Sequence, residues 1–195
     1  MKFFISLSRL IDALNEKIGQ VISWALLLAV LICAGNALVR YVFNTSSNGW
    51  LEIQWYLFAA VFLLGTSATL RRNEHVRIDV VAGRLSKRTQ VWIDIFGFTC
   101  FLLPMAILIL YFSVPYAMES IENQEMSSNA GGLIVWPAKL LIPCGFSLLT
   151  LQGISELIKR IGFLMGLVEA SAFEKHAATP EEEIEAIKRA NNLTQ

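Results

Sequence analysis

The sequence IGQVISWALLLAVLICAGNALV, residues 18–39, decides the fold because its 22 residues include no charged side chain. At about 1.5 Å per residue, a helix of this length reaches roughly 33 Å, which spans a hydrocarbon core of about 30 Å. Two further charge-free windows of 18 and 24 residues occupy 53–70 and 95–118. Each window is long enough to cross a bilayer as a helix.

The fourth apolar segment is shorter, because Lys139 and Glu156 enclose only 16 uncharged residues. Long charged side chains reach the headgroups from within a span, so we predict a fourth helix here as well. The predicted fold is an all-α integral membrane protein with one membrane domain over 18–160. Its spans are predicted at about 18–39, 53–70, 91–116 and 133–158, with Pro104 and Pro143 interrupting the last two.

Composition agrees with a chain that faces lipid. The hydrophobic set makes up 55% of the residues and charged residues only 16%, against about a quarter charged in soluble domains. Lys and Arg number 16, as do Asp and Glu, so the net charge indicates no nucleic-acid partner. The composition therefore predicts that much of the chain's surface contacts lipid.

The positive residues that flank the spans predict the orientation. Eleven stand on one side and only Arg40 and Lys139 on the other, so both termini are predicted in the cytoplasm. The eleven are Lys2, Arg9, Lys17, Arg71, Arg72, Arg77, Arg84, Lys87, Arg88, Lys159 and Arg160. The connection 117–135 carries three Glu and no Lys or Arg, and its Ser, Asn and Gly residues predict a flexible exported turn.

Two segments are predicted to lie along the membrane surface as amphipathic helices. Residues 1–17 place Phe4, Leu7, Ile11 and Leu14 at helical spacing, and residues 77–88 show a similar pattern. The segment 161–195 is predicted to be a cytoplasmic tail with a short helix near its end.

The predicted spans carry no charge at their middles, which argues against a carrier site within this chain. We predict an ion pair between Glu156 and Arg160 near the membrane surface. Uncharged polar residues of the spans are predicted to form hydrogen bonds between helices or between subunits; among them are Asn36, Gln54, Thr66, Ser67, Thr69 and Gln152.

No catalytic residue, cofactor ligand or metal ligand is predicted. The two histidines, His75 and His176, lie outside the spans, and the three cysteines lie inside apolar runs. The small size and the uncharged middles of the spans indicate an accessory subunit. Two alternative functions stay open: a membrane anchor for an enzyme complex, and a self-sufficient small exporter. Small exporters of the multidrug resistance type rely on a glutamate in the first span, which 18–39 lacks.

Consecutive residues resemble those of the DctQ-like family, the small membrane subunit of tripartite ATP-independent periplasmic (TRAP) transporters. The resemblance covers about residues 10–160. It rests on Arg40; Trp50, Glu52 and Trp55; the small residues 65–68; Arg71 and Arg72; then His75, Arg77, Asp79 and Arg84.

The resemblance implies a multi-pass subunit of the bacterial inner membrane. Its implied partners are a large DctM-like permease subunit that moves an organic acid with sodium, and a periplasmic substrate-binding protein. The small subunit would act as a scaffold without cofactors.

In such a subunit, Arg40 and Glu52 are expected to form an ion pair across the short loop between the first two spans. The alternative is that they and the acidic segment with Glu119 and Glu122 touch the binding protein. His75 and Asp79 stand at i and i+4 and could pair or cap a helix.

Overall fold

The computed structural model describes residues 2–45, 47–73 and 85–168. Within these ranges four helices are long and apolar enough to cross a membrane, as predicted. They are α1 (Lys2–Phe43), α2 (Asn48–Arg71), α3 (Lys87–Glu122) and α4 (Trp136–Leu164). The predicted helices at 77–88 and after residue 168 lie wholly or largely outside the described residues.

The helices run beyond the predicted spans because apolar windows set where a chain can cross lipid, not where a helix ends. α1 is one continuous helix of 42 residues with no break at residue 17, so the predicted segment 1–17 is not a separate element. α4 begins at Trp136 and not at Leu133. Residues 133–135 belong to the preceding loop.

The four helices alternate in direction and pack around α4. α4 contacts α1, α2 and α3, and α1 also packs along α2. One end of the bundle holds the start of α1 and the end of α4, and we call it the terminal end. The other end holds the connections 44–47 and 123–135, and we call it the loop end.

Pro104 changes the geometry of α3 without ending it. Residues Phe98–Leu102 form a π-helical turn in which the N–H of Leu103 donates to the carbonyl of Phe98, five residues earlier. Proline lacks an N–H and clashes with the carbonyl four residues before it, and a widened turn removes that conflict. Pro143 lies inside a continuous α4, so the predicted interruption there is wrong.

Small residues allow helices to approach closely. A Cβ atom built on Gly145 of α4 would stand 2.7 Å from the backbone oxygen of Leu63 in α2. In lipid, such contacts supply dispersion energy where apolar burial from water supplies none. α2 and α4 therefore touch backbone to backbone at this point.

Large apolar side chains point away from the bundle in all four helices. Phe62 of α2 is 73% exposed and Trp24 of α1 is 72% exposed, while fully buried positions include the polar Asn15, Gln152 and Ser155. This inverted arrangement is expected for a chain whose outer surface meets lipid or a partner helix.

Replacing Gly145 by Ala should destabilise the fold, because the added methyl group meets backbone that cannot move aside. The expected loss is about 1–3 kcal/mol, measured as a lower melting temperature in detergent. Gly97→Ala is the matched control, since a Cβ there has no atom within 4 Å. If the two variants melt together, the close contact has no energetic weight.

Candidate functional site

Two groups of polar side chains that contact each other across helices lie at the two ends of the bundle. At the terminal end, α1, α3 and α4 bring nine of them together, and we call this group the inner polar cluster. Its members are Ser8, Asp12, Asn15, Asp94, Gln152, Ser155, Glu156, Lys159 and Arg160.

Asp12 joins α1 to α4 within the inner polar cluster. Its carboxylate accepts hydrogen bonds from Gln152 Nε2 at 2.9 Å, Ser155 Oγ at 2.8 Å and Lys159 Nζ at 3.1 Å. Asn15 Nδ2 donates to Gln152 Oε1 at 2.7 Å, and the hydroxyls of Ser8 and Ser155 lie 2.7 Å apart. Ser8, Asp12 and Asn15 of α1 are thus turned onto α4.

Arg160 joins α4 to α3 in the same cluster. Its side chain is buried and pairs with Glu156 on its own helix and with Asp94 Oδ2 at 3.0 Å on α3. The guanidinium also lies over the ring of Phe98, 4.6 Å from its centroid. The predicted Glu156–Arg160 pair is confirmed, and Lys159 adds a second cation to Glu156.

The charged side chains of the inner polar cluster form ion pairs with one another. Two cations meet the three carboxylates of Asp12, Asp94 and Glu156, each of which is ion-paired. In the part of the chain that the structure describes, no group of His, Cys, Asp and Glu is arranged to hold a metal ion. The geometry therefore fits a clamp between helices.

A second ionic contact at the terminal end joins α1 to α2. The carboxylate of Glu16 pairs with Arg71 and, at 2.8 Å, with Arg72 Nη2. Both arginines were predicted site residues but Glu16 was not, because 55 residues separate Glu16 from Arg71 in sequence. Glu16 therefore ties α1 to the last turn of α2 at the terminal end.

At the loop end, one face of α2 holds the connection between α3 and α4. Asn48 Nδ2 donates to the carbonyl of Ala130 at 2.9 Å, and Tyr56 Oη donates to the carbonyl of Ile134 at 3.1 Å. Between them, Glu52 accepts from Ser127 Oγ, from Asn129 Nδ2 at 2.9 Å and from the backbone N–H of Leu133 at 2.6 Å. These three α2 residues stand at i, i+4 and i+8, so they share one face.

Glu52 therefore binds the loop and not Arg40. Among the residues that the structure describes, the predicted Arg40–Glu52 ion pair is not formed: Glu52 is buried and Arg40 is exposed. The segment predicted to be a flexible turn also contains backbone hydrogen bonds of its own. The N–H of Ser127 donates to Leu133 O and that of Val135 to Glu125 O, both at 2.9 Å.

Close packing at the loop end also restricts the residues allowed there. A Cβ on Gly132 would stand 2.6 Å from Ser127 Cβ and 2.9 Å from Glu52 Oε1. Any larger residue would therefore displace the loop from the carboxylate that holds it.

Lys139 of α4 also contacts the loop between α3 and α4. Its ammonium pairs with Glu125 and lies 4.1 Å from the centroid of the Tyr116 ring. The hydrogen bond from Lys139 lowers the pKa of the Glu125 carboxyl. Because this pKa is lowered in the folded chain, the Glu125–Lys139 contact is fully stabilising above the ordinary pKa of a glutamate. The stabilisation is lost as the pH falls through the lowered pKa, so acid weakens the contact.

The other predicted site residues that the structure describes join neither the inner polar cluster nor the contacts of Glu52 with the loop. Arg40 lies beside Tyr41 and Asn44 in an open surface depression. Trp50 and Trp55 are exposed on α2, and Glu119 and Glu122 are exposed near the end of α3. The remaining candidates, His75, Arg77, Asp79 and Arg84, lie outside the described residues.

The predicted hydrogen bonds between helices are confirmed for Gln152. For the hydroxyls of α2 the structure shows hydrogen bonds within the helix, and bonds to another subunit stay a prediction. Thr66, Ser67 and Thr69 donate to carbonyls of their own helix. A hydroxyl within a helix reaches the carbonyl three or four residues earlier with no partner helix required.

Replacing Arg160 by Leu should destabilise the subunit because buried carboxylates lose a cation. The expected loss is about 3 kcal/mol, measured as a lower melting temperature in detergent. Arg88→Leu, on an exposed residue, is the matched control and should melt like the original chain. Equal melting of all three proteins would show that the clamp contributes nothing.

Replacing Glu52 by Ala should release the loop without unfolding the helices. Leu133 loses a charged acceptor, so its amide should exchange with deuterium roughly tenfold faster. The measurement is hydrogen exchange read by mass spectrometry over 123–135. Glu119→Ala removes an exposed acid and should leave exchange unchanged; unchanged protection in Glu52→Ala would contradict the assignment.

The sequence matches the model of one known protein family. The model for "Tripartite ATP-independent periplasmic transporters, DctQ component" matches residues 28–162, well over half of the chain. Searches of curated proteins and of solved structures gave no match. The matched range includes Glu52, the loop that it binds and the α4 side of the inner polar cluster. The chain therefore belongs to the DctQ family, the small membrane component of TRAP transporters.

Proposed function

We propose that this chain is the stationary scaffold of a sodium-coupled importer of an organic acid in a bacterial inner membrane. It would hold a large DctM-like permease subunit that carries the substrate, and would serve a periplasmic substrate-binding protein. The family membership favours this role over a membrane anchor for an enzyme or a self-sufficient exporter.

The observation that carries the proposal is the distribution of charge. A carrier keeps ionisable or unpaired polar groups at mid-membrane, where ions and substrates pass. Here the ionised groups of the described spans stand near the ends, and those of the inner polar cluster are paired with one another. Such pairs stabilise one arrangement of the helices.

A moving carrier needs a second part that stays fixed against it. The contacts at both ends of the bundle support this role, because Asp12 and Arg160 join three helices at one end and Glu52 fixes the loop at the other. Closing both ends limits sliding between helices. The proposed role requires neither catalysis nor a cofactor.

The proposed orientation places the terminal end in the cytoplasm. The arginines and lysines that the sequence gathers there favour it, and Arg71, Arg72, Lys159 and Arg160 lie at that end in the structure. The loop end would then face the periplasm and the binding protein.

The exposed candidates at the loop end are available for partners in this arrangement. Arg40, Glu119 and Glu122 are exposed polar groups, and Trp50 and Trp55 are exposed aromatic groups that interfaces often use. Their contact with the large subunit or the binding protein stays a prediction, as do roles for His75, Arg77, Asp79 and Arg84.

Transport assays with separated components test the proposal. The substrate probe is the carboxylate that co-purifies with the cognate binding protein, identified by mass spectrometry and then isotopically labelled. Proteoliposomes with this chain alone should show no uptake under an inward sodium gradient. Adding the large subunit and the loaded binding protein should restore uptake.

The control is the same reconstitution with an outward sodium gradient, which should abolish uptake. Sodium-driven uptake by this chain alone would refute the scaffold role. Full uptake by the large subunit and binding protein without this chain would refute it as well.

A further inference from the structure

One side of α1 carries a row of exposed residues beside the row that packs against the bundle. The exposed row takes every seventh residue from Leu7 to Leu28 and from Leu10 to Leu31, and we call it the outer seam. The residue that directly follows each of them is buried or half-buried. Apart from Lys17, every member of the outer seam is apolar. Its alternating spacing of three and four residues is the one at which two helices pack side by side.

The outer seam continues past the surface of the membrane. The charge-free window of α1 begins at residue 18, and the ion pair of Glu16 with Arg71 lies just outside it. Leu10 and Leu7 stand about 12 and 16 Å from the start of that window along the helix axis, whereas the headgroup layer is about 5–7 Å thick on each side. Even at a tilt of about 40°, Leu10 stays about 9 Å outside the hydrocarbon. Lipid therefore does not cover Leu7 and Leu10, although Leu10 is 67% exposed in the chain itself.

Lys17 is the charged member of the outer seam. It is exposed and forms no ion pair with any residue that the structure describes, since the neighbouring Glu16 pairs with Arg71 and Arg72. Two copies of this chain inserted in the same orientation would place their Lys17 ammonium groups face to face in a shared seam, where like charges oppose pairing. A helix of a different chain, with a carboxylate opposite Lys17, would compensate the charge.

We propose that the outer seam of α1 packs against a helix of the large permease subunit, and that this helix carries an aspartate or glutamate opposite Lys17. From Leu7 to Leu31 the seam is about 36 Å long. The partner helix would be apolar where it meets Val21 and Trp24, and would extend past the membrane surface to cover Leu10. The inference rests on the proposed scaffold role, because it names the face of α1 that holds the subunit which that role requires.

Photo-cross-linking in membranes that contain the large subunit tests the location. The photoreactive amino acid p-benzoylphenylalanine, placed at the position of Leu10, should form an adduct with the large subunit. The matched control carries it at the position of Arg9, which is exposed at the same level but points about 100° away around the helix. Mass spectrometry should identify the cross-linked peptide as part of one helix of the large subunit.

Several results of this experiment would overturn the proposal. Equal yields of adduct from the two positions would show that the outer seam has no special contact with the large subunit. Adducts with phospholipid or with a second copy of this chain would identify a different occupant. Adducts with residues 169–195 of the same chain would do so as well.

The charge contact is tested by Lys17→Glu, which should lower the amount of large subunit that co-purifies with this chain about tenfold, because two carboxylates would then face each other. Arg9→Glu is the matched control, since it reverses another exposed cation of α1 outside the outer seam. Changing the acid identified on the partner helix to lysine should restore co-purification of Lys17→Glu. Undiminished co-purification of Lys17→Glu, or an equal loss in both variants, would overturn the pairing.

Circular dichroism and gel filtration of each variant alone check that it folds, and Lys17→Gln takes the place of Lys17→Glu if the latter does not. Co-purification of the original chain separates the two proposals. If the large subunit does not co-purify with it, the scaffold role fails and the seam assignment fails with it. If the large subunit co-purifies but position 10 gives no adduct with it, the seam assignment alone fails.

Discussion

The ionic and polar contacts at the two ends of the bundle are the constraint on which the rest of this structure depends. Lipid chains are as apolar as leucine, so burying leucine between helices gains little in a membrane. The chain accordingly exposes Trp24 and Phe62 and buries Asn15 and Gln152. Hydrogen bonds, ion pairs and close glycine contacts then decide which helices meet, and they explain why α4, which carries most of the inner polar cluster, contacts every other helix.

The spans could be predicted from sequence because crossing lipid requires a length of uncharged residues, and that length is visible directly. Helix ends could not be predicted this way. α1 continues from its apolar window back to Lys2, because Ser8, Asp12 and Asn15 find partners on α4. Those partners lie well over a hundred residues away in sequence, and a single chain carries no local signal of such a pairing.

In the candidate site, as in the helices, a residue could be selected from the sequence near it, but its partners distant in sequence could not. Glu52 was selected because it is among the residues that resemble the family, and it was expected to pair across a short loop. Its partner was predicted wrongly because Arg40 is the nearest cation in sequence. The donors come instead from Ser127, Asn129 and Leu133. One local signal was present: Asn48, Glu52 and Tyr56 share a helical face, which indicates that one surface of α2 binds a polar segment.

Placing charge at the ends also has a mechanical consequence for a scaffold. A buried ion pair contributes little net stability compared with apolar packing, but losing one partner costs several kcal/mol, so the pair specifies one arrangement more than it strengthens it. If α1 slid along α4 by one turn, Asp12 would separate from Lys159, and its partly buried carboxylate would lose its cation. A carrier must pass between two such arrangements at small cost, whereas a scaffold must not. The inner polar cluster opposes sliding of α1 and α3 along α4 at the terminal end, and Glu52 fixes the loop at the loop end. The surfaces that remain for contact with a moving partner are the exposed apolar faces of the helices.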